Sequence, residues 1–272
     1  MEIATPASAC RKPLIVLSLV TVLLFVGHAA VFGQKLSAKS IALDTNCHGF
    51  YEYLPDGYEQ GEKAYPLLIF LHGVGELGNG GTELPKLLRN GPMKLITTGR
   101  FPAYFAVKDT TYQFIVLAPQ FMHWPWPGTV YSIIDYALAN YRVNKKRVYL
   151  SGISMGGGIT WECVGNSAKY SNLLAAVVPV CGASRPDSTK AVAIANANLP
   201  VWATHNREDP VVTVEYTDNY ISYINSFVKP PGPLARKTIF QDAGHDAWTK
   251  TYDPNYKENG LNVYEWMLLH CR

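Results

Sequence analysis

The sequence predicts an α/β fold in which a mostly parallel central sheet is covered by helices on both faces. Short apolar runs of strand type alternate with segments that carry apolar residues at helical spacing, as in parallel strands joined by helical crossovers. Residues 66–71 form a continuous apolar run, which is typical of a strand that helices cover on both sides. The 272 residues are enough for one such domain with a large core.

The elements follow in chain order. An edge strand or hairpin arm is predicted at about 43–53, ending at a Pro-Asp-Gly turn. Apolar runs predict further strands at 66–71, 114–118, 148–150, 175–180, 200–204 and 237–240. Helical spacing predicts helices at 131–141, 155–165, 214–228 and 261–269, with a further helix in 83–96 that is interrupted at Gly91-Pro92. Ligands of such sheets bind beyond the carboxyl ends of the strands, so the candidate site lies there.

The first residues have the pattern of a targeting segment. Arg11 and Lys12 precede an apolar run at 14–26 and a small-residue end at 29–33. This order predicts a secretory signal peptide over residues 1–33 and a secreted or periplasmic protein. An uncleaved membrane anchor is the alternative, but the apolar core is shorter than the roughly 20 residues that a spanning helix needs.

Residues 34–272 are then expected to form a single catalytic domain. The net charge of +3 gives no support for a nucleic-acid partner. The sequence contains neither a C-x-x-C pair nor H-E-x-x-H, so we expect no metal and no other cofactor. Four cysteines remain in this part of the chain, which allows two disulfides in an exported protein or buried free thiols. They are Cys47, Cys163, Cys181 and Cys271.

The pattern G-x-S-x-G at 152–156 follows the strand at 148–150. A strand that turns sharply into a helix strains its turning residue, and Gly152 and Gly156 give Ser154 the space to occupy that position. The hydroxyl is then held above the end of the sheet at a helix N-terminus, where the dipole favours negative charge. The backbone N–H of Met155 is placed to face an oxyanion.

A serine hydroxyl needs an adjacent base, and His245 is the best candidate among seven histidines. It follows the last predicted strand in a loop that Gly244 allows to turn inward. His72 lies in a Gly-rich loop in which the backbone is expected to matter more than the ring. The remaining histidines either precede the acid or lie away from the ends of buried strands.

The acid that orients His245 is predicted to be Asp209. Of the acidic residues between Ser154 and His245, only Glu208 and Asp209 lie just beyond a strand, and Pro210 holds Asp209 extended in its loop. The order Ser, Asp, His is then that of a known class of hydrolases. Three such residues in order, each beyond a predicted strand, favour a catalytic triad over chance.

Three segments resemble those of the α/β-hydrolase superfamily, and the resemblance covers essentially all of residues 43–272. They are the loop Phe-Leu-His-Gly-Val-Gly-Glu-Leu-Gly at 70–78, the strand Pro-Val-Trp-Ala-Thr-His at 200–205 and the loop Gly-His-Asp-Ala-Trp at 244–248. They are similar to the esterase and predicted-peptidase branch, which is related to polyhydroxybutyrate depolymerases and to feruloyl or acetylxylan esterases.

The resemblance implies that the N–H groups of Val74 and Met155 form the oxyanion hole. Leu77 stands where arginine is common in that branch, and Asn206 stands where glycine is common. These departures concern the subfamily and leave the triad intact. Only about 20 residues separate the strand at 175–180 from the one at 200–204, so we expect no large cap domain.

The predicted function is that of a secreted serine hydrolase, which cleaves carboxylic esters through an acyl-enzyme. A serine peptidase of prolyl-oligopeptidase type is the first alternative, ranked lower because no propeller domain precedes residue 60 to select peptides. The second alternative is a non-catalytic binding module on the same fold. A lost triad residue would favour it, and none is lost.

Three tryptophans are the candidate substrate contacts. Trp124 and Trp126 lie in a Pro-stiffened loop beyond the strand at 114–118, and Trp248 follows His245. Indoles in such a loop stack on a flat ligand at little entropic cost. The expected partner is a small-molecule or polysaccharide-linked ester. The alternative is that Trp124 and Trp126 pack the loop onto the helix at 131–141.

Overall fold

A computed structural model describes Met1 and residues 35–272, so all but the first residue of the predicted signal peptide lies outside the described part. Within that part the chain forms ten strands. They are β1 (Lys35–Lys39), β2 (Gly49–Leu54), β3 (Tyr65–Leu71), β4 (Phe105–Val107), β5 (Thr110–Tyr112), β6 (Ile115–Gln120), β7 (Val143–Ile153), β8 (Ala176–Val180), β9 (Trp202–Glu208) and β10 (Arg236–Ala243).

Eight strands form the central sheet, in the order β1-β2-β6-β3-β7-β8-β9-β10. The pairs β1/β2 and β2/β6 are antiparallel, and every later pair is parallel. Strands β4 and β5 form a separate antiparallel hairpin. The prediction of a mostly parallel sheet is therefore confirmed.

The helices connect the strands and cover both faces of the sheet. They are α1 (Gly91–Thr97), α2 (Pro127–Asn140), α3 (Met155–Asn166), α4 (Ala168–Leu173), α5 (Ser188–Asn196), α6 (Glu215–Asn225), α7 (Trp248–Thr251) and α8 (Val263–Leu269). Short 3-10 turns occur at Tyr58–Gln60, Val74–Glu76 and Leu84–Arg89. Between β8 and β9 the chain contains α5 and its two connections, which is too short for a large cap domain.

Alternate side chains of strand β3 pack into two hydrophobic clusters, one on each face of the sheet. Leu67, Ile69 and Leu71 join the cluster that contains residues of α2, α3, α5 and α6. Leu68 and Phe70, which point the other way, join the cluster formed with α1 and α8. Both sets are buried, and each such side chain contributes about 1.5–3 kcal/mol relative to an exposed position.

The edge of the sheet differs from the sequence prediction. The strand predicted at about 43–53 is β2 at 49–54, and β1 pairs outside it in antiparallel register. Lys-Leu-Ser-Ala-Lys in β1 has few apolar residues because an exposed edge strand buries little surface.

Helix α5 was not predicted, because its sequence lacks a strong apolar pattern. Its start is fixed by Asp187, whose carboxylate accepts the N–H groups of Thr189 and Lys190.

All four cysteines of this region are free thiols in the structure. Cys47, Cys163 and Cys181 are buried and Cys271 is exposed. Burial raises the pKa of the Cys47 thiol to about 12, so this group is a packed apolar side chain and a poor nucleophile. In the described part of the chain, no helix has both the length and the apolar character that crossing a membrane requires.

Candidate active site

Ser154 lies at the turn between β7 and α3, with φ +52° and ψ −112°. This left-handed conformation costs a non-glycine residue about 1–3 kcal/mol. Backbone hydrogen bonds hold it in place, because the Ser154 N–H donates to Val180 O at 2.9 Å and Ser154 O accepts from Gly158 and Ala183. The turn presents the hydroxyl at the carboxyl edge of the sheet.

The two glycines of the pentapeptide are needed because backbone approaches both of them. A Cβ on Gly152 would lie 2.5 Å from Gly156 O, and a Cβ on Gly156 would lie 2.2 Å from Leu71 O. Any side chain would therefore separate β7 from α3 or α3 from β3. The requirement for small residues on each side of Ser154 follows from this contact.

His245 lies in the loop after β10, where Gly244 adopts φ +90°. Its Nε2 is 2.7 Å from Ser154 Oγ, and its Nδ1 is 2.6 Å from Asp209 Oδ2. An ionised carboxylate only accepts hydrogen bonds, so Nδ1 carries the proton and Nε2 accepts from the serine hydroxyl. In this tautomer the imidazole is ready to take the Ser154 proton.

Asp209 follows β9 directly, and its side chain is fully buried. Its Oδ1 accepts the N–H groups of Val211 at 2.8 Å and Val212 at 3.0 Å, which leaves Oδ2 directed at His245. Glu208, the other acid considered at this strand end, is exposed. The structure thus brings Ser154, Asp209 and His245 together, and their catalytic roles stay a prediction.

His205 is a fourth residue of this group that sequence reasoning missed. Its Nδ1 is 2.8 Å from Thr217 Oγ1, and its Nε2 is 2.8 Å from Val212 O and 3.3 Å from Asp209 Oδ2. Because a carbonyl only accepts, Nε2 carries the proton and faces the carboxylate. Burial lowers the pKa of His205, which keeps the ring neutral. The available signal was a histidine directly after the strand predicted at 200–204, four residues before the acid.

The two predicted oxyanion donors both begin helical turns. Val74 is the first residue of the 3-10 turn at 74–76, and Met155 is the first residue of α3. The N–H of such a residue has no partner within its own helix. Among the described residues, no backbone or side-chain acceptor outside the helices takes either N–H. Both groups are therefore available to a ligand.

The His72 ring orients the Val74 N–H, although the backbone of His72 was expected to matter more than its ring. Gly73 O belongs to the same peptide plane as the Val74 N–H and points the opposite way. That oxygen accepts from His72 Nδ1 at 2.7 Å and from Glu76 N at 3.1 Å. The second ring nitrogen of His72 accepts from Phe121 N at 3.0 Å, so the tautomer is fixed.

The burial of His72 predicts a loss of stability in acid. Desolvation lowers its pKa from 6.5 to about 4, so the unfolded chain binds a proton that the folded chain resists. The stabilisation is complete above pH 6.5 and is lost as the pH falls towards 4, by up to about 3 kcal/mol. His270, whose pKa is also lowered to about 4, acts in the same direction.

The variant His72→Gln isolates this effect. Urea unfolding of both proteins at several pH values between 7 and 4.5 should show a shallower decrease of the free energy of unfolding in the variant. The comparison uses the slopes, since the substitution also changes stability at neutral pH. Parallel curves for the two proteins would contradict the expectation.

The three candidate tryptophans lie in two different environments. Trp124 and Trp126 are 53% and 70% exposed, so packing onto α2 leaves more than half of each side chain accessible. Their loop is fixed by Asn46, whose Oδ1 accepts from Met122 N and His123 N. Trp248 is partly buried, and its indole Nε1 donates to Asn90 Oδ1 at 3.1 Å, so it is already engaged within the protein.

One group of three possible metal-binding side chains lies in the described part of the chain, formed by Cys181, Asp209 and His245. Asp209 and His245 already share a hydrogen bond of 2.6 Å. Burial raises the pKa of the Cys181 thiol, which disfavours the thiolate that binds metals. This donor set suits hydrogen bonding, and the expectation of no metal stays a prediction.

Comparison with known proteins finds esterases among the similar chains. A curated relative, the bifunctional acetylxylan esterase/xylanase XynS20E of Neocallimastix patriciarum, is 28% identical over 149 residues, which are 53% of this chain and 19% of that protein. The chain therefore spans about a fifth of the relative that it matches.

Solved structures share the fold. A thermostable esterase aligns with a TM-score of 0.58 and 22% identity, covering 88% of this chain and 63% of the other. A mutant feruloyl esterase module from Clostridium thermocellum, complexed with sinapinate, aligns with a TM-score of 0.55 and 18% identity over 85% of this chain and 89% of the other. A family model described as phospholipase/carboxylesterase matches residues 58–253. The chain therefore belongs to the phospholipase/carboxylesterase family of α/β-hydrolases.

Proposed function

We propose that the protein is a serine hydrolase of carboxylic esters, with Ser154 as nucleophile, His245 as general base and Asp209 as the orienting acid. The observation that carries the proposal is the continuous chain of hydrogen bonds from Asp209 through His245 to Ser154. Each member follows a different parallel strand, at the edge of the sheet where ligands of such folds bind.

The reaction would proceed in two halves. Ser154 Oγ attacks the ester carbonyl carbon while its proton passes to His245 Nε2, and the tetrahedral intermediate then expels the alcohol, which takes that proton. Water, deprotonated by His245, attacks the acyl-enzyme and releases the acid. Asp209 keeps the proton on Nδ1 and stabilises the imidazolium that forms in each half.

The oxyanion would be held by the N–H groups of Val74 and Met155. The removal of one such donor in a hydrolase costs about 3–4 kcal/mol of transition-state stabilisation. The turn at Ser154 places the start of α3 beside the hydroxyl. The dipole of that helix further favours the negative charge of the oxyanion.

Assays with p-nitrophenyl esters and with peptide anilides test this function against a peptidase. The wild-type protein should hydrolyse the esters, with Ser154→Ala as the blank. Higher kcat/KM for the anilides would favour the peptidase alternative. The failure of both substrate classes, with a folded protein, would favour a binding module.

Export of the protein is proposed from the basic, apolar and small-residue order of residues 1–33. Expression of the full chain in a secreting host tests it. The mature protein should begin near Gln34 by N-terminal sequencing, and retention of the first 33 residues in the membrane fraction would contradict it.

The loop that carries Trp124 and Trp126 is proposed to bind the leaving-group side of a carbohydrate or aromatic ester. Both indoles are exposed, and Asn46 holds their loop in a fixed position. An ester linked to a polysaccharide is the proposed substrate class.

Trp124→Ala and Trp126→Ala test this binding role separately. At least one variant should raise KM for a feruloyl or acetyl-sugar ester by about tenfold and leave KM for p-nitrophenyl acetate unchanged, since stacking stabilises ground and transition states alike. Steady-state kinetics on both substrates measures the difference. Equal effects on the two esters would leave these residues only a packing role.

A further inference from the structure

A partly buried chain of side chains links the loop of Gly73 and Val74, here called the oxyanion loop, to the loop of His245. Gly73 N donates to Glu76 Oε2 at 2.9 Å, and Asn90 Nδ2 donates to Glu76 Oε1 at 2.6 Å. At the other end, Trp248 Nε1 donates to Asn90 Oδ1 at 3.1 Å. These hydrogen bonds therefore connect Gly73 to Trp248. Glu76 and Asn90 are 14 residues apart in the sequence, and Asn90 and Trp248 are 158 residues apart.

Both ends of this chain lie against proposed catalytic groups. A Cβ on Gly73 would lie 3.6 Å from Ser154 Cβ, and the next peptide carries the Val74 N–H. The Trp248 ring meets the His245 ring edge to face, with their centroids 5.3 Å apart. A shift of either end would thus move an oxyanion donor or the base.

The direction of every hydrogen bond in the chain is fixed by its ends. The Gly73 N–H and the Trp248 indole N–H can only donate. Trp248 therefore requires the oxygen of the Asn90 amide, which turns the amide nitrogen towards Glu76. Glu76 must then accept at both oxygens, which an ionised carboxylate does.

The Glu76 carboxylate has a high desolvation cost, which a residue that only fills space would not need. It is 6% exposed, and burial raises the pKa of its carboxyl, although Asn90, Gly73 and the charge of Arg89 oppose that shift. A buried carboxylate is retained only when donors compensate its desolvation. Here those donors are the oxyanion loop and Asn90.

We infer that Glu76 and Asn90 are positioning residues for ester hydrolysis. Through Trp248 they fix the position of the oxyanion loop relative to the His245 loop. Trp248 then acts through the bond from its indole N–H to Asn90, and not as the substrate contact that its position after His245 predicted. The inference rests on the proposed function, because the relative position of the two loops matters for catalysis only if the Val74 N–H and His245 act on the same substrate.

A polarity swap tests this inference. In Glu76→Gln the new amide nitrogen faces the Asn90 amide nitrogen, and in Asn90→Asp two carboxylates face each other. The double variant, which combines Glu76→Gln with Asn90→Asp, exchanges the amide and the carboxylate between the two positions. The Gly73 N–H and the Trp248 N–H then both regain acceptors, and only the direction of the central bond is reversed.

We expect each single variant to lower kcat for p-nitrophenyl acetate by about tenfold or more with little change in KM, since misplaced catalytic groups affect the transition state. The double variant should return to within about threefold of the wild-type kcat. The Trp248 indole N–H signal in NMR spectra should shift in the singles and return in the double variant. A double variant no more active than the poorer single variant would overturn the inference.

Trp248→Phe provides a second test that does not depend on the folding of the Glu76 variant. It keeps an aromatic ring at this position but removes the indole N–H together with part of the ring system, so kcat should fall several-fold. Trp202→Phe is the matched control, because it also removes an indole hydrogen bond, to Thr238 Oγ1 at 2.9 Å, within the buried sheet, and its kcat should stay near the wild-type value. Unchanged kcat in Trp248→Phe would contradict the inference, whereas an inactive wild-type protein would contradict the proposed function.

Discussion

Ser154→Ala should lower ester hydrolysis by about six orders of magnitude, the loss found when a hydrolase loses its nucleophile. The substitution removes the hydroxyl that His245 Nε2 contacts, at 2.7 Å. It keeps the backbone bonds of the turn, because these use Ser154 N and O. The fold should therefore persist, which far-UV circular dichroism and thermal unfolding check.

The matched control for this experiment is Ser226→Ala. Ser226 is exposed at the end of α6 and takes no part in the hydrogen-bonded group around His245. Its activity should equal that of the wild-type protein. Near wild-type turnover by Ser154→Ala, with background hydrolysis subtracted, would show that another residue is the nucleophile.

Asp209→Asn should lower kcat by about four orders of magnitude. The Asn oxygen can still accept from Val211 and Val212, so its amide nitrogen turns towards His245 Nδ1. The imidazole must then accept at Nδ1 and carry its proton on Nε2, where it no longer takes the serine proton. Steady-state hydrolysis of p-nitrophenyl acetate measures the loss.

Glu208→Gln is the control one residue earlier in the chain. Glu208 is exposed at the end of β9, whereas the Asp209 side chain is fully buried beside His245. The Glu208 variant should therefore keep nearly all activity. The opposite order of the two effects would move the orienting acid to Glu208.

The sequence was sufficient for the parts of the structure that depend on local pattern. The apolar run of β3 and the glycines around Ser154 each carry a signal within a few residues. The ends of parallel strands share one edge of the sheet, so the order of Ser154, Asp209 and His245 already implied that they meet. Their distances could come only from the structure.

What the sequence did not reveal depends on contacts between distant segments. The His72 ring acts through Gly73 O and Phe121 N, and the second bond spans 49 residues. Nothing near Asn90 in the chain indicates that its amide joins Glu76 to Trp248. Trp248 was expected to contact the substrate because its position after His245 was visible, while the partner of its indole N–H was not.

The role of Ser154 as nucleophile is tested most directly by the site of covalent labelling with a fluorophosphonate, which reacts with an activated serine. We expect one adduct per wild-type chain, located by mass spectrometry of the digested protein at Ser154, and none in Ser154→Ala. Asp209→Asn should label far more slowly than Glu208→Gln. An adduct on any other residue, or a folded wild-type protein that does not react, would contradict the assignment of Ser154 as the nucleophile.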